Sequence, residues 1–212
     1  MLEAQINLDG LSDDERQMLL LSYEDLRKNA DVRVVSDEDE IQGLVDRFSD
    51  ANIDLYEGGT CFQNVFFVND DYYLIQIKMR GYIHQSQRGA TISMEYLFEL
   101  AAYKELDYDY DKIVLQPHTK ESYRVSSLLN RLFHSDEMSL DGHKAFNEKN
   151  NLTATNKDSA IQLFSDASIN AISASSETHV VVVKDALIVW LPQINEGTTN
   201  AINNIVSSFK GK

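Results

Sequence analysis

Between Tyr72 and Met94 the chain carries no Asp or Glu, while Lys78, Arg80 and Arg88 bring positive charge and His84 a titratable ring. Lys78 and Arg80 alternate with Gln76 and Tyr72, so a strand would present them on one face. Arg88-Gly89 stands just ahead of Thr91 to Ser93, where a helix is expected to start. Arginine beside free helix N–H groups is a recipe for holding a carboxylate or a phosphate. Lys78, Arg80, His84 and Arg88 are therefore the candidate binding residues, with ordinary pairing to surface acids as the competing use of the same cations.

The remaining reactive side chains are less suggestive. Cys61 follows Gly58-Gly59-Thr60, and Gly58 to Gln63 resembles the Gly-Gly-x-Cys-x-Gln stretch of arylamine N-acetyltransferases. That resemblance implies a nucleophilic Cys with a downstream His and Asp. Glu57 stands where the family has Arg, and Val65–Val68 and Tyr72–Met79 contain no His. Cys61 also opens a strand, where no helix dipole lowers a thiol pKa, so it is expected to be a small core residue. His84, His118, His134, His143 and His179 include no i, i+4 pair, and no metal site is expected. Asp107-Tyr108-Asp109-Tyr110-Asp111 begins like a calcium loop, but Lys112 replaces its Gly and His118 its closing Glu. No catalytic constellation and no cofactor motif is found.

Charge is the strongest compositional signal. The 212 residues hold 34 acids against 19 Lys and Arg, a formal charge of −15. Residues 1–60 carry 16 of those acids and 5 of the bases. Such a surface repels nucleic acid and anionic membranes and favours a basic protein partner. One Cys excludes an internal disulfide, and no apolar run reaches the ~20 residues of a membrane helix. A cytoplasmic location is expected.

The elements that must position these groups follow from periodicity. Ser12 with Glu15 forms a capping box ahead of a helix over 12–29. Val32–Val35 suits a short strand. Ser36 and the acids Asp37–Glu40 open a second helix with the stripe Ile41, Leu44, Val45, Phe48. Phe62–Val68 and Tyr72–Arg80 alternate as a half-buried hairpin. Helices are expected over 92–106, around Val125–Phe133 and over 139–148, with Ile113–Leu115 as a short strand and Tyr108–Lys112 and Asn147–Asn156 as polar links. A helix over 158–172, a more apolar hairpin (His179–Lys184 and Ala186–Leu191) and a C-terminal helix bearing Ile202, Ile205, Val206 and Phe209 complete the chain.

Phe48-Ser49-Asp50-Ala51 matches Phe164-Ser165-Asp166-Ala167 at an offset of 116. The same offset lays one hairpin on the other and suggests an internal αββα duplication. We therefore expect an α+β fold, an antiparallel sheet of two β-hairpins packed by amphipathic helices. Residues 1–146 would form an N-terminal α+β region around the hairpin 62–80, and 157–212 a C-terminal αββα unit packed with it as one globular domain. The expected function is an acidic, non-enzymatic interaction protein of immunity, chaperone or inhibitor type. Its partner would be a protein with a basic surface, or a second copy of the chain. The alternatives are an enzyme for a small anionic substrate using Arg80, His84 and Arg88, and a nucleic-acid mimic that blocks a DNA-binding protein.

Overall fold

The computed structural model describes residues 6–51, 61–84, 92–118, 136–175, 177–192, 194 and 197–211. Helix α1 (Asp13–Asn29) starts where the capping box places it: the Glu15 carboxylate accepts from Ser12 N at 2.6 Å, and Ser12 Oγ accepts from Glu15 N at 3.4 Å. After β1 (Val32–Val34), α2 (Glu38–Asp50) opens with Asp37 Oδ1 accepting from Glu40 N at 2.9 Å. Strands β2 (Cys61–Val68) and β3 (Tyr72–His84) form the first expected hairpin, turned by Asn69 and Asp70 at positive φ.

The next element differs from the helix expected over 92–106. Residues Ile92–Pro117 form one long strand, β4, which also absorbs the expected link at Tyr108–Lys112. The run Phe98-Glu99-Leu100-Ala101-Ala102-Tyr103 favours a helix by propensity. It is apolar on both faces, however, and a strand buried on both sides wins that ambiguity through tertiary packing. The expected link at Asn147–Asn156 is likewise corrected. After β5 (Asp136–Met138) and α3 (Lys144–Lys149), residues Asn150–Ala154 form β6, buried from Asn151 onward. The helix expected over 158–172 is two helices, α4 (Lys157–Leu163) and α5 (Asp166–Ala174): Phe164 leaves the helical conformation and Ser165 caps the next helix. The helix expected around Val125–Phe133 lies outside the described residues.

The last strand, β7 (His179–Leu191), precedes α6 (Thr198–Ser207). Eleven extended residues span about 36 Å, yet the rings of His179 and Trp190 stack at 4.8 Å. The ribbon therefore reverses direction, and Lys184 at φ 55 marks the turn. The second expected hairpin is thus present inside one continuous strand assignment. Its two arms pair with two stretches of β4, Leu100–Glu105 against Leu191–Ala186 and Tyr110–Leu115 against Lys184–Val180. Between Glu105 and Tyr110, β4 passes round the hairpin tip. Three strand spacings are about 14 Å, within the reach of five extended residues. The seven-stranded antiparallel sheet then reads β1, β2, β3, first half of β4, the β7 ribbon, second half of β4, β6, β5.

Helices cover both faces of this sheet. On one face α1, α3, α4, α5 and α6 bury Leu19, Phe146, Leu163, Ile169 and Ile205 against Phe66, Leu74, Leu100, Val182 and Leu187. On the other, α2 sets Leu44 and Phe48 on Val65, Ile75 and Ile77, and the apolar surface continues across Ala101, Ile188 and Val181. The hairpin β2–β3 is accordingly buried on both sides rather than half-buried, since Leu74, Ile75, Gln76 and Ile77 are each at most 1% exposed. The duplication gains no support. Phe48-Ser49-Asp50 closes α2, whereas Phe164-Ser165-Asp166 joins α4 to α5, and α2 and α5 pack on opposite faces.

Candidate functional site

Of the four cations singled out by sequence, three fall in β3. Lys78 is half-buried opposite Phe98, while Arg80 and His84 take backbone positions opposite Tyr96 and Ile92. Arg88 lies outside the described residues. Because Ile92 onward is strand, the helix N-terminus expected to complete an anion site beside Arg88 is not formed there. Cys61 opens β2 opposite Lys78, as expected for a strand residue. Among the described residues no group of three His, Cys, Asp or Glu side chains could hold a metal ion.

The buried polar side chains fall into two kinds. Gln76 lies under α1, and every polar group it brings has a partner. Its Nε2 donates to Ser22 Oγ at 2.7 Å and to the Leu19 carbonyl at 3.2 Å, and its Oε1 accepts from Asn64 Nδ2 at 2.8 Å. Asn64 in turn accepts from Asn7 N at 2.7 Å. A fully satisfied network like this fixes register and stabilises the fold.

The opposite face ends differently. Register aligns Val65, Ile75, Ala101 and Trp190 in one row across the sheet. The ring stack adds His179, the next step beyond the Leu115–Val180 pair brings Gln116 opposite His179, and Gln116 pairs with Asn151. Glu99, opposite Ile77, sits one row further out beside Ala101 and Trp190. The row is apolar at Val65, Ile75 and Ala101 and turns polar from Trp190 to Asn151. His179 Nδ1 and Asn151 Oδ1 are buried without a hydrogen-bond partner. Burial pushes the Glu99 carboxyl up to about 7 and the His179 imidazole down to about 4. No ion pair joins Glu99 among the described residues.

At the far end of the same face a guanidinium is already in place. Arg47 of α2 lies 3.9 Å from Glu105 and 3.8 Å from Asp185, around the hairpin tip. Between the two ends Tyr103 is buried with its hydroxyl unpartnered, and burial raises its pKa to about 12.

The outer surfaces of α1 and α2 and the flanks of β1 are acidic. Asp9, Asp13, Asp14, Glu24, Asp31, Asp37, Glu38, Asp39, Asp46 and Asp50 are exposed. Ion pairs in this region join Lys28 to Asp25 at 2.8 Å and Arg33 to Glu40 at 2.8 Å, so these ten acids carry none among the described residues. Glu40 is further tied to Tyr73 Oη at 2.9 Å, and its carboxyl is held below the ordinary range chiefly by Arg33. A shallow groove of about 430 Å³ runs along α1, floored by Leu8, Leu20 and Leu21 and rimmed by Asp13, Arg16 and Glu24.

The sequence carried two signals for the polar row that periodicity alone passes over. Glu99 is an acid inside the apolar run Leu97–Tyr103, and Trp190 is the single Trp of the chain. What brings them beside His179 and Asn151 is the course of β4 round the β7 hairpin, which no local pattern encodes. Compared with protein-family models, curated proteins and solved structures, the chain matches none. No described helix is long and apolar enough to cross a membrane.

Proposed function

We propose that this chain is an acidic, non-enzymatic protein–protein interaction protein of the cytoplasm that engages a partner with a basic surface. The observation that carries this proposal is the set of exposed acids on α1, α2 and the β1 flanks that form no ion pair among the described residues. An unneutralised surface of this kind steers a basic protein into contact and repels nucleic acid and anionic lipid. Helix α2 brings four of them, Glu38, Asp39, Asp46 and Asp50, to one side of the sheet, which makes that side the favoured contact face.

The test is affinity capture from the native source at low and high salt, with two charge-neutralised variants beside the natural chain. One variant combines Glu38→Gln, Asp39→Asn and Asp46→Asn on α2. The other combines Asp13→Asn, Asp14→Asn and Glu24→Gln on α1. A basic protein held at low salt, released at high salt and lost from the α2 variant supports the proposal. Capture indifferent to salt and to both variants contradicts it.

A further inference from the structure

We infer that residues 209–211, which follow α6, form a releasable strap that closes over the buried side chain of Lys104, and that closure requires a residue without a side chain at position 211. The strap stands apart from the partner-binding function proposed above.

Three observations carry this. The first is the burial of a cation. Lys104, in the first half of β4, is only 4% exposed, and its Nζ donates to Asp71 Oδ2 at 2.7 Å in the turn between β2 and β3. An ammonium taken out of water is costly, so both its carboxylate and the chain packed around it have to stay in place. The second is a close approach. A Cβ built on Gly211 would run into Lys104 Cε and stand 3.1 Å from Lys104 Nζ and 3.0 Å from the Glu105 carbonyl oxygen. Glycine is the residue that lets the backbone come this near. Lys104 cannot give way without leaving Asp71, and the Glu105 carbonyl belongs to the sheet. The third is backbone pairing. Strand β4 pairs with β7 as far as Glu105 opposite Ala186 and again from Tyr110 opposite Lys184, so Leu106 falls in the interruption although it is 1% exposed. Gly211 meets it there with an isolated antiparallel bridge. Buried backbone groups need partners, and here one comes from the strap.

The two ends of the strap differ. Phe209 is 3% exposed, with its ring 5.9 Å from that of Phe164. Just before it, α6 is tied to the β2–β3 hairpin by Tyr72 Oη donating to Asn203 Oδ1 at 2.7 Å. Lys210 is exposed, and Gly211 has a single bridge among the described residues. A lone bridge beyond an anchored helix is among the first contacts of a fold to open. Phe209 is therefore the hinge, and release at Gly211 uncovers a cation and the β4 backbone at Leu106.

Amine labelling of the full chain with N-hydroxysuccinimidyl acetate, read by peptide mass spectrometry, tests the strap. Lys28 and Lys144, with side chains 67% and 90% exposed, are the internal references. In the natural chain Lys104 should label at least about tenfold more slowly than either. Gly211→Ala should speed Lys104 labelling about threefold and Gly211→Val about tenfold, with Lys28 and Lys144 unchanged and the circular dichroism retained. Hydrogen exchange over residues 105–107 should accelerate in the same order. Lys210→Ala, which alters only an exposed side chain, should leave Lys104 within about twofold of its natural rate. Lys104 labelling as fast as Lys28 in the natural chain would overturn the inference, because nothing would then cover it. Unchanged labelling and exchange in Gly211→Val would overturn it too. Asp71→Asn keeps the strap and removes the carboxylate. If it freed Lys104 as far as Gly211→Val does, the shielding would belong to the ion pair and the strap would be overturned.

Discussion

Two polar sites are buried in this sheet, one on each face, and they are built to opposite rules. Beneath α1, Gln76 meets Ser22, Leu19 and Asn64, so each polar atom it buries is paired. Across the sheet, Asn151 is buried and Glu99 and His179 are half-buried, with pairing left incomplete. A domain gains nothing in stability from the second arrangement, because unpaired buried groups cost free energy. The contrast separates a polar cluster whose buried groups are all paired from one in which His179 Nδ1 and Asn151 Oδ1 are not.

The widest separation between the two sites should appear on removing their amides. Gln76→Met removes three buried hydrogen bonds, leaving Ser22 Oγ only its bond to the Leu19 carbonyl and Asn64 Nδ2 only its 3.3 Å bond to the Asn7 carbonyl, and should lower stability by about 1–3 kcal/mol in urea denaturation. Asn151→Leu deletes an unpaired acceptor and should change stability by less than about 1 kcal/mol, in either direction. Equal losses at the two positions would erase the distinction.

The pH dependence of the polar row has a sign that can be worked out. The Glu99 carboxyl is raised to about 7, so its favourable contribution is present below the unfolded carboxyl range and is lost as pH climbs through about 7. The His179 imidazole is lowered to about 4, so its contribution is present above the unfolded imidazole value and is lost as pH falls toward about 4. Each shift corresponds to roughly 3 kcal/mol, and in the natural chain the two oppose one another between about pH 4.5 and 6.5. Removing one unmasks the other. The stability of Glu99→Gln relative to the natural chain should grow from pH 4 to pH 8, while that of His179→Phe should be greatest near pH 4 and fade by pH 7. Flat difference curves would mean that neither group is held in the state described.

Smaller effects are expected on the acidic surface. Asp39→Asn, exposed in the first turn of α2, should cost no more than about 0.5–1 kcal/mol at low salt, through the helix dipole. The same substitution should slow association with a basic partner.

Much of this architecture is legible from local chemistry. Ser12 with Glu15, the acids at Asp37–Glu40, the turn at Asn69–Asp71 and the stripe Ile202–Phe209 each mark an element that forms at those residues. The errors have a common physical origin. Around Phe98–Tyr103, strand β4 is buried on both faces with Glu99 as the one charged residue, so the alternation that identifies a one-sided strand is missing. Strand β6 hides in Asn150-Asn151-Leu152-Thr153-Ala154, a polar run buried because α3 and two neighbouring strands enclose it. The candidate cations Lys78, Arg80, His84 and Arg88 follow from charge along the chain. The row from Glu99 to Asn151 is assembled from three separate stretches and depends on pairing over long sequence distances.

The most direct test of the central claim is a nuclear magnetic resonance map of the full chain with its captured basic partner. Perturbed resonances should run continuously from Glu38 and Asp39 along the outer surface of α2 to Asp46 and Asp50, leaving the Gln76 network unchanged. Perturbations centred on the α1 groove at Leu20 and Leu21, with α2 unmoved, would contradict it.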